Sequence, residues 1–181
     1  GRPVENPEAR YLSGGPALVK PSPFGAHNWH PMSFNPETGL VYIPAQDVPF
    51  LYSDQIEGEI ARFDRDAFNI GVSLTDALPE TEEARRTLLR QLVQAHLAAW
   101  DPVAQKEVWR VQHERMWNGG TLTTSGDLVF QGTTSGVFNA YNAKTGEELW
   151  SYPVGVAMVG GPVAYEVNGE QYVAVSAGWG S

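Results

Sequence analysis

The chain has 181 residues, of which 42% are apolar and 18% charged, enough to build an ordinary hydrophobic core and too apolar for a disordered polypeptide. Twenty-one acidic against twelve basic residues leave a net charge of -9, which repels phosphate backbones; with no basic stripe to offset it, nucleic acid is excluded as a partner. The absence of cysteine excludes disulfides, thiolate metal sites and covalent haem attachment within these residues.

Nineteen glycines, thirteen prolines and twenty aromatic residues suit many short strands joined by tight turns. Gly1 to Arg10 is polar and lacks the apolar centre of a signal peptide, and no later run has the length of a membrane span. The start without Met and the stop just after an apolar strand suggest a segment of a longer protein.

The first strand signal lies in Asn35-Pro36-Glu37-Thr38-Gly39-Leu40-Val41-Tyr42, where an Asx turn and a glycine precede apolar alternation. Asp64 and Asp66, beside Arg62 and Arg65, read as a solvated charged turn. From about 76 to 93, Glu80, Glu82 and Glu83 precede Leu88, Leu89, Leu92 and Val93. This predicts a short helix with acids at its positive end and one apolar face, inserted among the strands.

The most informative pattern is an Asx turn leading into a strand that carries Trp. It runs from Ala99 through Asp101 to Trp109, and again from Ala140 through Asn142 to Trp150, so that Trp recurs after 41 residues. That interval is the length of one propeller blade. In each copy the Asx side chain closes the turn on backbone amides, Gly supplies a positive φ, and the indole reaches the neighbouring unit. The Asn35 stretch reads as a third copy displaced by an insertion. Between the copies, Thr121–Thr124, Leu128–Gln131 and Val137–Tyr141 read as meandering strands, and Val163–Val167 and Gln171–Val175 as a hairpin on the Asn168-Gly169 turn. At about 40 residues per blade, the chain holds material for three or four blades.

His27, His30 and Asp47 lack the further ligands that a zinc site needs, and no metal site is expected; His96 and His113 read as locally hydrogen-bonded. No nucleophile elbow, phosphate loop or dinucleotide fingerprint occurs.

Four segments carry a family resemblance: Gly25-Ala26-His27-Asn28-Trp29-His30-Pro31-Met32-Ser33-Phe34, Gly39–Pro49, Trp117-Asn118-Gly119-Gly120-Thr121-Leu122-Thr123-Thr124, and Tyr172–Gly180. Together with the two Trp repeats, which are similar to a tryptophan-docking motif, the chain resembles the later part of the propeller in pyrroloquinoline-quinone (PQQ) dependent alcohol dehydrogenases of the quinohaemoprotein type. The resemblance implies an all-β fold, a partial eight-bladed propeller of four-stranded antiparallel blades with a short helical insertion, spanning residues 1–181. It implies oxidation of alcohols to aldehydes by hydride transfer to PQQ with calcium, in the periplasm, with electrons passing to a cytochrome c or a haem c domain.

By the same resemblance Asn28 and Trp29 contact PQQ. An isolated Asn-Trp pair would be a turn amide beside a core indole; the flanking residues assign it to the cofactor. Gly178 and Trp179 fall beside the site in the family's final cofactor-side loop, while Thr121–Thr124 are strand residues. The calcium ligands, the catalytic base and a PQQ-contacting Lys belong to parts of the pattern that this chain lacks, so it is expected to be inactive alone. The alternative is a non-catalytic propeller serving as a scaffold for protein assembly.

Overall fold

A computed structural model describes residues 2–11, 15–53, 55–56, 59–60, 65–66 and 81–179. In chain order, β1 (Ala17–Val19), β2 (Ser33–Asn35), β3 (Leu40–Asp47), β4 (Phe50–Tyr52), β5 (Gln55–Ile56) and β6 (Glu59–Ile60) precede the helix α1 (Glu82–Leu92). They are followed by β7 (Gln94–Asp101), β8 (Lys106–His113), β9 (Thr121–Thr124), β10 (Leu128–Gly132), β11 (Val137–Asn142), β12 (Glu148–Pro153), β13 (Val163–Val167) and β14 (Glu170–Ala174). The chain divides into two compact units, one of residues 1–23 and 48–92, the other of residues 24–47 and 93–181.

In the first unit β1 pairs with β4 and β5 with β6, both antiparallel. The predicted helix is present as α1. The Thr81 hydroxyl accepts from the amide of Ala84 at its start, Glu82 and Glu83 occupy its first turn, and Arg86 pairs with Glu82 one turn back at 2.6 Å. Residues 76–80 of the expected insertion, and Arg62 and Asp64 of the charged turn, lie outside the described residues.

The second unit contains two four-stranded antiparallel sheets, in the orders β2-β3-β7-β8 and β9-β10-β11-β12, and the hairpin β13-β14. The two Trp repeats are the last hairpin of each sheet. The Asp101 carboxylate accepts from the amides of Val103 and Ala104 at 2.9 Å, and the Asn142 amide oxygen from Lys144 and Thr145 at 2.9 and 3.2 Å. Exchanging Asp for Asn thus preserves the turn. The left-handed residue that ends the turn is Gly146 in the second copy, φ 74°, but Gln105 in the first, φ 53°. The repeat extends to a register shift after Ala99 in one sheet and after Ala140 in the other.

The expected third copy is corrected by the topology. Asn35 does close a turn, accepting from the amide of Glu37 at 2.8 Å, but that turn joins β2 to β3, the first two strands of the sheet whose last hairpin holds Asp101. Its counterpart in the second sheet is the turn at Ser125–Asp127 between β9 and β10. Asx chemistry closes either hairpin, so the sequence pattern does not tell the two apart. The insertion lies inside one sheet, between β3 and β7. With residues 48–93 between β3 and β7, the described residues hold two four-stranded blades and the opening hairpin of a third.

The core lies between the two sheets: Leu40, Tyr42, Leu97 and Ala99 from one meet Val129, Tyr141 and Ala143 from the other. Tyr42 is fully buried and donates its hydroxyl proton to the carbonyl of Ala143 at 2.9 Å. The Trp109 indole N–H reaches the same carbonyl at 3.1 Å, and its ring stacks on Tyr42 at 5.6 Å. A Cβ on Gly146 would stand 2.6 Å from that ring, so the turn of one repeat is the seat of the indole of the other. Trp150, the second copy's indole, is half exposed and meets Phe138 and Tyr152 of its own sheet.

Candidate cofactor site

Each sheet of the second unit begins from a segment that runs to one shared point. A Cβ on Gly120 would lie 2.4 Å from the Pro31 ring, and one on Gly161 would lie 2.5 Å from the same ring and 3.8 Å from the Gly120 Cα. A Cβ is excluded at both glycines, so their backbone packs directly on the Pro31 ring. The amide of Thr121 donates to the carbonyl of Pro31 at 2.8 Å, joining the first strands of successive sheets. Just before this point the lead-in segments pair with the ends of second strands, where Gln46 donates to Ala26 and Gly119 to Gly132, both at 2.8 Å; Gly178, beyond the end of β14, donates to Ala157 at 2.9 Å. Asn28, Trp29 and Gly178 therefore occupy the same end of their respective sheets.

Asn28 is exposed and held by its own neighbourhood. Its amide N–H donates to the carbonyl of Phe24 at 2.8 Å, and its oxygen accepts from the amide of Trp29 at 2.8 Å. One of its two N–H groups is left available. Trp29 is 60% exposed and stacks on His30, with ring centres 4.2 Å apart.

Trp117 and Asn118 complete the group, although the sequence reading gave them no role. Trp117 lies 5.2 Å from His30 and 5.5 Å from Phe24, ring centre to ring centre, and adopts a left-handed φ of 63°. Buried Asn118 holds that backbone by donating to the carbonyl of Arg115 at 2.6 Å and accepting from the amide of Thr134 at 3.0 Å. Fully buried Gln131 donates to the carbonyl of Gly119 at 2.8 Å and accepts from His113 Nε2 at 2.9 Å. The available signal was positional: an adjacent indole and amide stand directly before a first strand at Trp117-Asn118, as they do at Asn28-Trp29.

His27 donates from Nδ1 to the carbonyl of Pro44 at 2.8 Å, which commits that nitrogen to the backbone. Burial, reinforced by His27, pushes the His30 imidazole below its ordinary pKa. His113 is lowered by burial, partly offset by Gln131, and His96 by burial and then by Arg110. Trp179 is exposed; Gly178 has a φ of 117° and is joined through Ala157 and buried Met158 to Thr133, but neither Gly178 nor Trp179 touches Asn28 or Trp29 among the described contacts. Thr121–Thr124 form β9, where Thr121 bonds Ser33 and the carbonyl of Tyr42.

The sequence is 48% identical over 180 residues to the quinohemoprotein alcohol dehydrogenase ADH IIB of Pseudomonas putida, covering 99% of this chain and 24% of the relative. It is 47% identical to the quinohemoprotein alcohol dehydrogenase of Comamonas testosteroni, covering 99% and 25%. Residues 94–173 match the β-propeller domain of the glucose/ethanol/alcohol dehydrogenases. The chain is similar to a segment of the propeller in PQQ-dependent alcohol dehydrogenases. Family structures share its fold: quinohemoprotein alcohol dehydrogenase ADHIIG from Pseudomonas putida superposes with a TM-score of 0.87 at 40% identity, over 98% of this chain and 26% of that one. A europium-containing methanol dehydrogenase superposes at 0.75 with 28% identity, over 96% and 29%. The chain thus spans about a quarter of the length of these relatives.

Proposed function

We propose that this chain is part of an enzyme that oxidises alcohols to aldehydes with PQQ, and that Asn28 and Trp29 contact the cofactor. The observation that carries the reading is the amide and indole presented together at the shared end of the sheets, backed by His30 and flanked by Trp117. The donors suit a flat, multiply carboxylated quinone. Asn28 keeps one amide N–H, and exposed Trp29 offers its ring and an indole N–H.

When bound, PQQ supplies the hydride acceptor. The residues of this chain do the rest of their work by holding it. Asn28 would donate to a cofactor oxygen, Trp29 would cover the ligand and exclude water, and Trp117 would extend the aromatic wall. Gly178 and Trp179 flank the site from the third blade. Calcium, its ligands and the catalytic base are assigned to parts of the enzyme outside this chain, the electron acceptor to a cytochrome c or haem c domain, and the location to the periplasm. The seating of Trp109 on Gly146 is read as the family's tryptophan-docking contact. Residues 1–181 are read as a later segment of the propeller domain, with the helical insertion inside it.

The test uses the intact parent protein reconstituted with PQQ and Ca²⁺. Alcohol-dependent dye reduction is expected, and Asn28→Ala and Trp29→Ala should each weaken PQQ binding by about tenfold, the loss of one good hydrogen bond or ring contact. A folded parent that neither binds PQQ nor oxidises alcohols would sink the proposal and leave the scaffold propeller.

A further inference from the structure

His30 is 4% exposed, and its ring lies between two indoles, 4.2 Å from Trp29 with planes 23° apart and 5.2 Å from Trp117. Its Nε2 is buried and finds no hydrogen-bond partner among the protein atoms described. An unpaired buried nitrogen detracts from stability, so this atom is no part of what holds the local structure together. What the ring contributes is its two faces. Burial also lowers the imidazole pKa, which favours the neutral ring over the cation.

We propose that His30 is a positioning residue of the cofactor site: it acts as an aromatic spacer that fixes the plane of Trp29 against Trp117 and so presents the outer face of Trp29 to the flat ligand. The proposal rests on the cofactor reading above for the ligand, but the spacing itself is a property of the protein without cofactor. Trp29 is 60% exposed, and His30 is its one ring neighbour among the described residues. Without the spacer, the indole would keep its chain position and lose its orientation.

Two variants of the intact parent separate this role from mere volume filling. His30→Phe keeps an aromatic face and deletes the unpaired nitrogen; His30→Leu fills similar space with no flat face. PQQ affinity, followed by quenching of tryptophan fluorescence on adding PQQ to the apoprotein, should fall about fivefold in His30→Leu and return to within about twofold of wild type in His30→Phe. In the apoprotein alone, His30→Leu should make an indole more accessible to acrylamide, whereas His30→Phe should not. The Phe variant should also melt no lower than wild type. Equal behaviour of the two variants in both assays, or failure of folded His30→Phe to restore either, would overturn the proposal. Should wild type bind no PQQ, the cofactor reading falls, and the acrylamide comparison still decides the role of His30.

Discussion

Gln131 shows how a single buried side chain can hold a site it does not touch. Its amide N–H is committed to the carbonyl of Gly119, so its oxygen is left to accept from His113 across the sheets. Replacing it with Leu would leave a buried carbonyl and a half-buried imidazole without partners. Gln131→Leu is therefore expected to lower unfolding free energy by about 2 kcal/mol in denaturant titrations. It should also loosen the loop in which Trp117 is kept at positive φ, measurable as faster amide exchange at Asn118 and Gly119. A stability equal to wild type would show that the relay contributes nothing.

At the scale of elements, the contact between repeats predicts an asymmetry among glycines with similar backbones. Gly146 and Gly169 both have positive φ, but a Cβ would collide with Trp109 at the first and meet nothing at the second. Gly146→Ala should cost about 3 kcal/mol, combining overpacking with backbone strain, and Gly169→Ala about 1 kcal/mol from strain alone. Equal melting temperatures for the two variants would refute the seating of Trp109 on that turn.

The same elements mark how far the sequence could be read. The Asn168-Gly169 hairpin was legible because both turn residues adopt the left-handed conformation that the dipeptide favours, φ 53° and 82°. The interval between Trp109 and Trp150 was legible because each blade repeats the same turn chemistry. The placement of the Asn35 turn was not, since Asx closure looks alike in any hairpin. For the site, Asn28 and Trp29 were found through their flanks, whereas Trp117 is joined to them only by pairing between sheets distant in sequence, such as Thr121 with Pro31.

For the whole molecule, three imidazoles lean the same way. His30, His96 and His113 are all held below their ordinary value of 6.5, chiefly by burial. The unfolded chain thus binds more protons than the folded one in the window below that value, and stability must rise with pH there. Their contribution is present in full above pH 6.5 and is lost as the pH falls through the folded values. Unfolding midpoints of the intact protein should drop between pH 7.5 and pH 5.5; a flat or rising profile on acidification would contradict the burial of these rings. No helix among the described residues is long and apolar enough to cross a membrane.

The excursion between β3 and β7 has a consequence of another kind. Asp47 and Gln94 are still paired where the chain departs and returns, so the two strands keep register up to the mouth of the excursion. Doubling the length of a flexible loop at such a point costs only about 0.6 kcal/mol in closure entropy. The sheet has in effect a socket on its rim, into which evolution or an engineer can plug, lengthen or exchange a module, while the hydrogen-bonded ladder that registers the blade stays unaltered.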